Sequence, residues 1–203
     1  MPPLPLPDPE LRDDAVRLRA PSPDDLPAMV AACQDPLIQR FTFVPVPYGE
    51  EDARAFLLGR EAAREAGEAL ALAISPVDGD ELLGMVGVQR FAWEHRTCDV
   101  GYWVAPAARG RGVAVRALRL LAPWVLRETG VRRIALAADV ENRASQRLAE
   151  RAGFVREGTV RSAIEVKGRR WTEALYSLVT EDLGAGEGPA EAAGVAEPAR
   201  PGA

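Results

Sequence analysis

Apolar and polar positions along the chain change their period several times, and each change marks an element. Residues 15–19 alternate strictly, Val16 and Leu18 against Arg17 and Arg19, as a half-buried strand does. Ser22-Pro23-Asp24-Asp25 then supplies an N-cap, a first-turn proline and acidic residues, which predicts a helix over about 23–33. Residues 41–48 are aromatic and proline-broken, as a loop pinned on the core would be, and a charged helix is expected over about 50–66. Residues 70–74, 82–91 and 97–104 read as three strands, with turns at Asp78-Gly79 and near His95, and they suit an antiparallel meander. Beyond Pro106, Val115, Leu118, Ala122 and Val125 recur at helical spacing. A strand over 133–137, a short helix through Leu148 and Ala149 ending at Gly153-Phe154, and a strand pair at about 155–166 and 171–180 complete the pattern. Pro123 falls inside the helix beyond Pro106, where a kink is expected.

Composition narrows the class. With 203 residues, 47% hydrophobic and 27% charged, the chain suits one soluble α/β domain, and it contains no apolar run long enough for a membrane span. Residues 1–12 form a proline-rich leader without the features of a secretory signal, residues 13–183 the domain, and the Gly-, Ala-, Pro- and Glu-rich residues 184–203 a disordered tail. This implies a cytoplasmic location. The formal charge of −5 is carried largely by leader and tail residues, among them Asp8, Glu10, Glu187, Glu191 and Glu197. The core that remains is close to neutral and offers nothing to nucleic acid. Cys33 and Cys98 have neither CxxC spacing nor partners for a disulfide framework, so reduced structural thiols are expected, and nothing points to a bound metal.

The run Arg109-Gly110-Arg111-Gly112-Val113-Ala114 joins a strand to the start of a helix. Glycines let backbone N–H groups approach an anion, the helix terminus adds partial positive charge, and the two arginines add full charges. A diphosphate-bearing ligand is the natural guest. The loop lacks the Lys-Ser/Thr of a Walker A motif and the third glycine of a dinucleotide fingerprint, which argues against nucleotide hydrolysis and against a Rossmann domain.

The segments downstream of the loop sharpen the picture. The order strand, phosphate loop, helix, strand, Asn142-x-x-Ser145 turn, helix and Ala152-Gly153-Phe154 resembles the GCN5-related N-acetyltransferase (GNAT) family. Its R/Q-x-x-G-x-G/A signature is matched by Arg109, Gly112 and Ala114, and Gly101-Tyr102-Trp103-Val104 is similar to the RimJ/RimL-like branch that acetylates ribosomal-protein N-termini. The resemblance covers roughly residues 15–181. It implies a mixed, mostly antiparallel sheet of about seven strands flanked by helices, acetyl-CoA as co-substrate, and direct transfer to a primary amine in a monomer or homodimer. Acetyl-CoA would be held by Trp103, Val104, the loop Arg109-Gly110-Arg111-Gly112-Val113-Ala114 and Asn142. The oxyanion would be met by backbone N–H groups around Trp103-Val104-Ala105, on a strand splayed from its parallel neighbour.

Ser145 falls where the branch has a serine near the CoA sulfur and could protonate the thiolate; as a residue opening a helix it could equally serve as a cap. The branch's glutamate position falls on Ile164, with Glu165 beside it on the opposite face of a strand. Glu165, Asp99 and Glu94 are the carboxylate candidates for a base, while His95, the only histidine, sits in a polar turn. An α-amine of pKa near 8 is roughly a tenth neutral at pH 7, whereas a lysine amine is neutral in only about one molecule in two thousand, which favours an N-terminal α-amine acceptor. The alternatives are a small-molecule amine, such as an antibiotic, polyamine or amino acid, and a non-catalytic acyl-CoA sensor.

Overall fold

The computed structural model describes residues 3–184, so all but the first residue of the expected tail lies outside the described residues. Eight strands form one sheet: β1 (Leu11–Arg12), β2 (Val16–Arg19), β3 (Leu70–Pro76), β4 (Gly84–Ala92), β5 (Thr97–Val104), β6 (Arg133–Asp139), β7 (Val155–Val166) and β8 (Arg169–Val179). Their spatial order is β1-β2-β3-β4-β5-β6-β8-β7. Every neighbouring pair is antiparallel except β5 and β6, which are joined through α4 (Val113–Glu128) and run parallel. The other helices are α1 (Leu26–Cys33), α2 (Pro36–Phe41), α3 (Glu50–Glu65) and α5 (Arg143–Arg151).

Period-2 alternation divides the core between the two faces of the sheet. On one face Leu70, Leu72 and Ile74 of β3, Val86 and Val88 of β4, Val100 of β5 and Ile134 and Leu136 of β6 pack against Leu118, Leu121 and Val125 of α4. On the other, Ala73 and Met85 meet Met29 and Cys33 of α1, Ala53 of α3 and Tyr48 of the proline-broken loop, and Trp103 packs against this cluster. The second layer covers β3, β4 and the end of β5. It leaves the same face of β6 uncovered, where Ala137 is exposed.

The structure corrects several expectations in detail. The sheet has eight strands because Leu11–Arg12, inside the segment read as leader, pairs with Arg17–Leu18. The leader is also docked: Leu4 is buried, its N–H donates to the Arg64 carbonyl at 2.9 Å, and its own carbonyl accepts from the Arg64 guanidinium at 2.8 Å. The predicted helix over 23–33 opens with a 3-10 turn at Pro23–Asp25, and the Ser22 hydroxyl does not cap it. Instead the Asp25 carboxylate accepts the Ser22 N–H at 2.8 Å and grips Arg19. α2 arises where no helix is expected, because Asp35 caps it by accepting from Leu37 N–H and Ile38 N–H, both at 3.0 Å. α4 runs through Pro123 as one element. Cys33 and Cys98 are free and buried, and burial pushes their thiols up to about 11 and about 12.

Candidate active site

The parallel pair β5/β6 is short. Its ladder covers Thr97, Cys98 and Asp99 against Arg133, Ile134 and Ala135, and then stops, although both strands continue. β6 stays paired with β8 as far as Asp139, and β5 with β4 as far as Val104, so the two halves of the sheet diverge into a gap beyond Asp99. Ala105 N–H donates to the Leu83 carbonyl at 2.9 Å. By the alternation of an antiparallel ladder, the N–H groups of Trp103 and Gly101 therefore also face β4, and those of Tyr102 and Val104 face the gap. This narrows the expected oxyanion donors around Trp103-Val104-Ala105. Val104 presents its N–H to the opening, whereas Trp103 and Ala105 spend theirs on the sheet.

The loop after β5 leads to the same gap. Gly110 and Gly112 both adopt φ near +77°, and a Cβ at either would meet no atom within 4 Å. The glycines therefore serve backbone conformation and leave an open concavity at the N-terminus of α4. Beside it lies a cleft of about 550 Å³ lined by Gly110, Arg111, Gly112, Arg116, Arg119 and Arg151, with Val115 and Leu120 as apolar wall. Arg116 is neutralised by Asp13 and Asp14, but Arg111, Arg119 and Arg151 have no carboxylate partner among the described residues. Unneutralised guanidinium groups beside free helix N–H groups fit the phosphates of a polyanionic ligand such as acetyl-CoA. The Arg109 side chain points to α2. Its guanidinium grips the Asp35 carboxylate at 2.6 and 3.2 Å, tying the loop to the cap of α2. That guanidinium, with the two α2 N–H groups, holds the Asp35 carboxyl below its ordinary range. Val113 and Ala114 are buried in the first turn of α4, so their side chains serve packing and only their backbone faces the loop.

Ser145 sits at the start of α5 and is hydrogen-bonded to the Tyr102 hydroxyl at 2.7 Å. Asn142 caps the helix by accepting the Ser145 N–H at 3.1 Å, so the Asn-x-x-Ser spacing serves the helix and orients the serine. Burial pushes the Tyr102 hydroxyl up to about 12, and the hydrogen bond with Ser145 only partly offsets this. At neutral pH the pair holds both its protons on the α4 side of the strand gap. In sequence Tyr102 stands out only as part of a strand motif. Its even-numbered position, shared with Cys98 and Val100, is the signal that turns it toward α4 and α5.

The carboxylates lie on the opposite face. Asp99 is at the point of divergence, and its Oδ2 accepts from Arg90 Nε at 2.5 Å. It lines a cleft of about 200 Å³ floored by Ala135, Ala137 and Leu175. Arg133 and Glu157 close one end of this cleft as a bidentate pair, 2.7 and 2.5 Å, and Ser177 donates to Glu157 at 2.9 Å. Glu173 of β8 lies in the same cleft, although its place in the sequence does not mark it as a candidate base.

Glu165 does not join this group. A bulge does interrupt β7 between Val160 and Ile164, but it precedes the critical pair: Ile164 faces buried Trp171, and exposed Glu165 faces Arg170. Glu165 therefore stays on the face opposite Ile164. Glu94 and His95 are exposed on a 3-10 turn, 3.2 Å from each other. No three His, Cys, Asp or Glu side chains cluster as a metal site among the described residues, and none of the described helices is long and apolar enough to cross a membrane.

Comparison with known proteins agrees with this geometry. Residues 15–155 match the family model described as an acetyltransferase (GNAT) domain. The Bacillus subtilis protein YdaF, a putative ribosomal N-acetyltransferase by name, is 32% identical over 101 residues, 50% of this chain and 55% of that protein. The ribosomal-protein-serine acetyltransferase of Escherichia coli is 30% identical over 114 residues, 56% of this chain and 63% of that enzyme. The chain thus spans little more than half the length of these curated relatives. In fold the match is longer: a coenzyme A complex of RimL, a ribosomal L7/L12 alpha-N-protein acetyltransferase, superposes with a TM-score of 0.76 over 85% of this chain and 99% of its own, at 22% identity. Strand order, parting of β5 from β6, glycine-arginine loop and family match converge, and the chain belongs to the GNAT acetyltransferase family.

Proposed function

We propose that this protein transfers the acetyl group of acetyl-CoA directly to a primary amine, and that its preferred acceptor is the N-terminal α-amine of a protein or peptide. The observation that carries this reading is the disposition of groups about the strand gap. The Tyr102–Ser145 hydroxyl pair lies on the α4 side, and carboxylates line a cleft on the other. Acyl transfer needs both at once.

In this reading the loop 109–114, with Arg111, Arg119 and Arg151, holds the phosphates at the N-terminus of α4. The pantetheine arm enters the gap, and the thioester carbonyl lies at the Val104 N–H. A neutral amine nitrogen attacks the carbonyl carbon, negative charge gathers on the carbonyl oxygen and is met by that N–H, and the C–S bond then breaks. Ser145, backed by Tyr102, donates a hydrogen bond to the departing thiolate, and the proton lost by the amine leaves on the cleft side.

The charge balance of the cleft supports an acceptor with one positive charge. Asp99 is committed to Arg90 and Glu157 to Arg133, so the cleft lacks the surplus of acid that a polycation would require. The E. coli relative and RimL, one named for ribosomal-protein serine and the other for an L7/L12 α-N-protein acceptor, point the same way. The test is CoA thiol release from acetyl-CoA with a panel of Ser- and Ala-started peptides, lysine peptides, polyamines and aminoglycosides. Preference for the α-amine peptides is expected. Preference for a small-molecule amine would move the acceptor assignment, and tight acetyl-CoA binding with no turnover of any amine would leave a sensor.

A further inference from the structure

Resting on the acyl-transfer reading, we propose that Glu173 accepts the proton of the acceptor amine. Three observations carry this. First, Glu173 lies across the sheet from the catalytic hydroxyls: it shares the cleft with Asp99 and Ala135, the last pair of the β5/β6 ladder, and the gap opens directly beyond them. Second, it occupies an otherwise apolar stripe of β8 between Trp171 and Leu175, on the face that the helices leave uncovered beside exposed Ala137. A carboxylate here is reachable from solvent by an acceptor, yet it stands over an alanine floor.

Third, Glu173 makes no hydrogen bond and no ion pair among the described residues, whereas the other carboxylates around it are all engaged. Asp99 is bound to Arg90, Glu157 to Arg133 and Ser177, and buried Asp139, its partner across β6/β8, to Arg169. Asp99 and Glu157 are each held by a guanidinium, so Glu173 is the carboxylate of the cleft whose two oxygens are both without a partner among the described residues. The groups facing it are Arg90 from β4, Asp99 from β5, Asp139 and Arg133 from β6 and Glu157 from β7. Partial burial raises its carboxyl above the ordinary range, the charges of Asp99 and Asp139 add to this, and Arg90 opposes it. This brings the group closer to the pKa of the amine it would serve. The step balances: the ammonium N–H proton passes to a Glu173 carboxylate oxygen and on to solvent through the open cleft, the freed nitrogen lone pair forms the C–N bond, the C–S bond then breaks to release the thiolate, and the adduct's surplus N–H proton follows the same route.

This assignment also accounts for Ile164 at the position where a glutamate is expected. Both positions lie on the same face of the sheet, since Ile164 faces Trp171 and Trp171 precedes Glu173 by one alternation. The carboxylate on that face stands on β8 instead of the edge strand.

The experiment compares wild type with Glu173→Gln and Glu173→Asp on the best acceptor of the amine panel, with kcat/KM measured from pH 6 to 9.5 and CoA affinity as a check on folding. Glu173→Gln should lose about a hundredfold at pH 7 while binding CoA normally. Its deficit should shrink to a few fold above pH 9, where an α-amine supplies its own lone pair. Glu173→Asp should recover part of the loss. A Gln variant within threefold of wild type at pH 7, or one whose deficit is the same at every pH, overturns the assignment. If wild type turns over no amine, the transfer reading fails separately, and the 13C titration of the Glu173 carboxyl in the free protein decides. A midpoint at or below that of an ordinary glutamate then removes the case for it as a base.

Discussion

Replacing Tyr102 by Phe deletes one hydroxyl and leaves the ring in place. The hydroxyl meets Ser145 Oγ at 2.7 Å in a partly buried position, so its loss strands one hydrogen-bonding group and costs about 1 kcal/mol of stability. For a domain of this size that corresponds to roughly 2–4 °C in Tm. The catalytic loss should be larger. A hydrogen bond to a charged group is worth about 1.5–3 kcal/mol, so removing the support of a developing thiolate should lower kcat by about ten- to a hundredfold. Ser145→Ala should lose a similar factor, and because the two hydroxyls act in series the double variant should lose little more than either single one. The assay is initial-rate thiol release at saturating acetyl-CoA for the four members of the cycle, with melting temperatures alongside. Losses below threefold, or factors that multiply in the double variant, would refute a shared donor and leave the pair as a structural tie between β5 and α5.

Further predictions test the scaffold around this centre. Asp25→Ala leaves the Arg19 guanidinium, only 11% exposed, without its carboxylate, and should cost about 3 kcal/mol by urea denaturation. The Asp35 carboxyl is depressed chiefly by Arg109, so its contribution is present at neutral pH and is lost as pH falls below about 4 through that lowered value. The acid limb of stability should accordingly flatten in Arg109→Ala. Gly112→Val has open space for its Cβ but must hold φ near +77°; it should lose about 1–2 kcal/mol of stability and weaken CoA binding at least tenfold by calorimetry. With thiols pushed up to about 11 and about 12, Cys33 and Cys98 should be alkylated at pH 7.5 only at the rate of global unfolding, as read by mass spectrometry.

The parts of this architecture that announce themselves in sequence are those with strong local causes. Glycines of positive φ, the Asn142 cap and the alternation of β2 to β5 arise from residue types and spacing, and they bring the phosphate loop, Ser145 and Asp99 to one region. Pairings across long separations stay hidden. Nothing local tells that Arg109 will spend its guanidinium on Asp35, 74 residues away, or that Leu11–Arg12 will extend the sheet. Glu165 misleads because it neighbours the expected position on an edge strand, and only the pairing of Ile164 with Trp171 and of Glu165 with Arg170 shows that it faces the other way. Glu173 lies on a strand whose apolar neighbours reveal its face, but only the pairing of β8 with β6 places that face beside the gap.

The brief contact between β5 and β6 has a mechanical meaning. Three registered pairs, the body of α4 and side-chain ties such as Lys167 to the Gln39 and Thr42 carbonyls couple β1–β5 to β6–β8, so the sheet behaves as two plates sharing a narrow seam. A chain with its own amide groups lying in that seam would complete a ladder that the polypeptide leaves unfinished, and occupancy would then stiffen the parted edges of β5 and β6 by mass action as well as position a thioester. Slowed hydrogen exchange at the Tyr102 and Val104 amides, with those on the β4 side of β5 unchanged, would be the signature of a ligand acting as a temporary ninth strand.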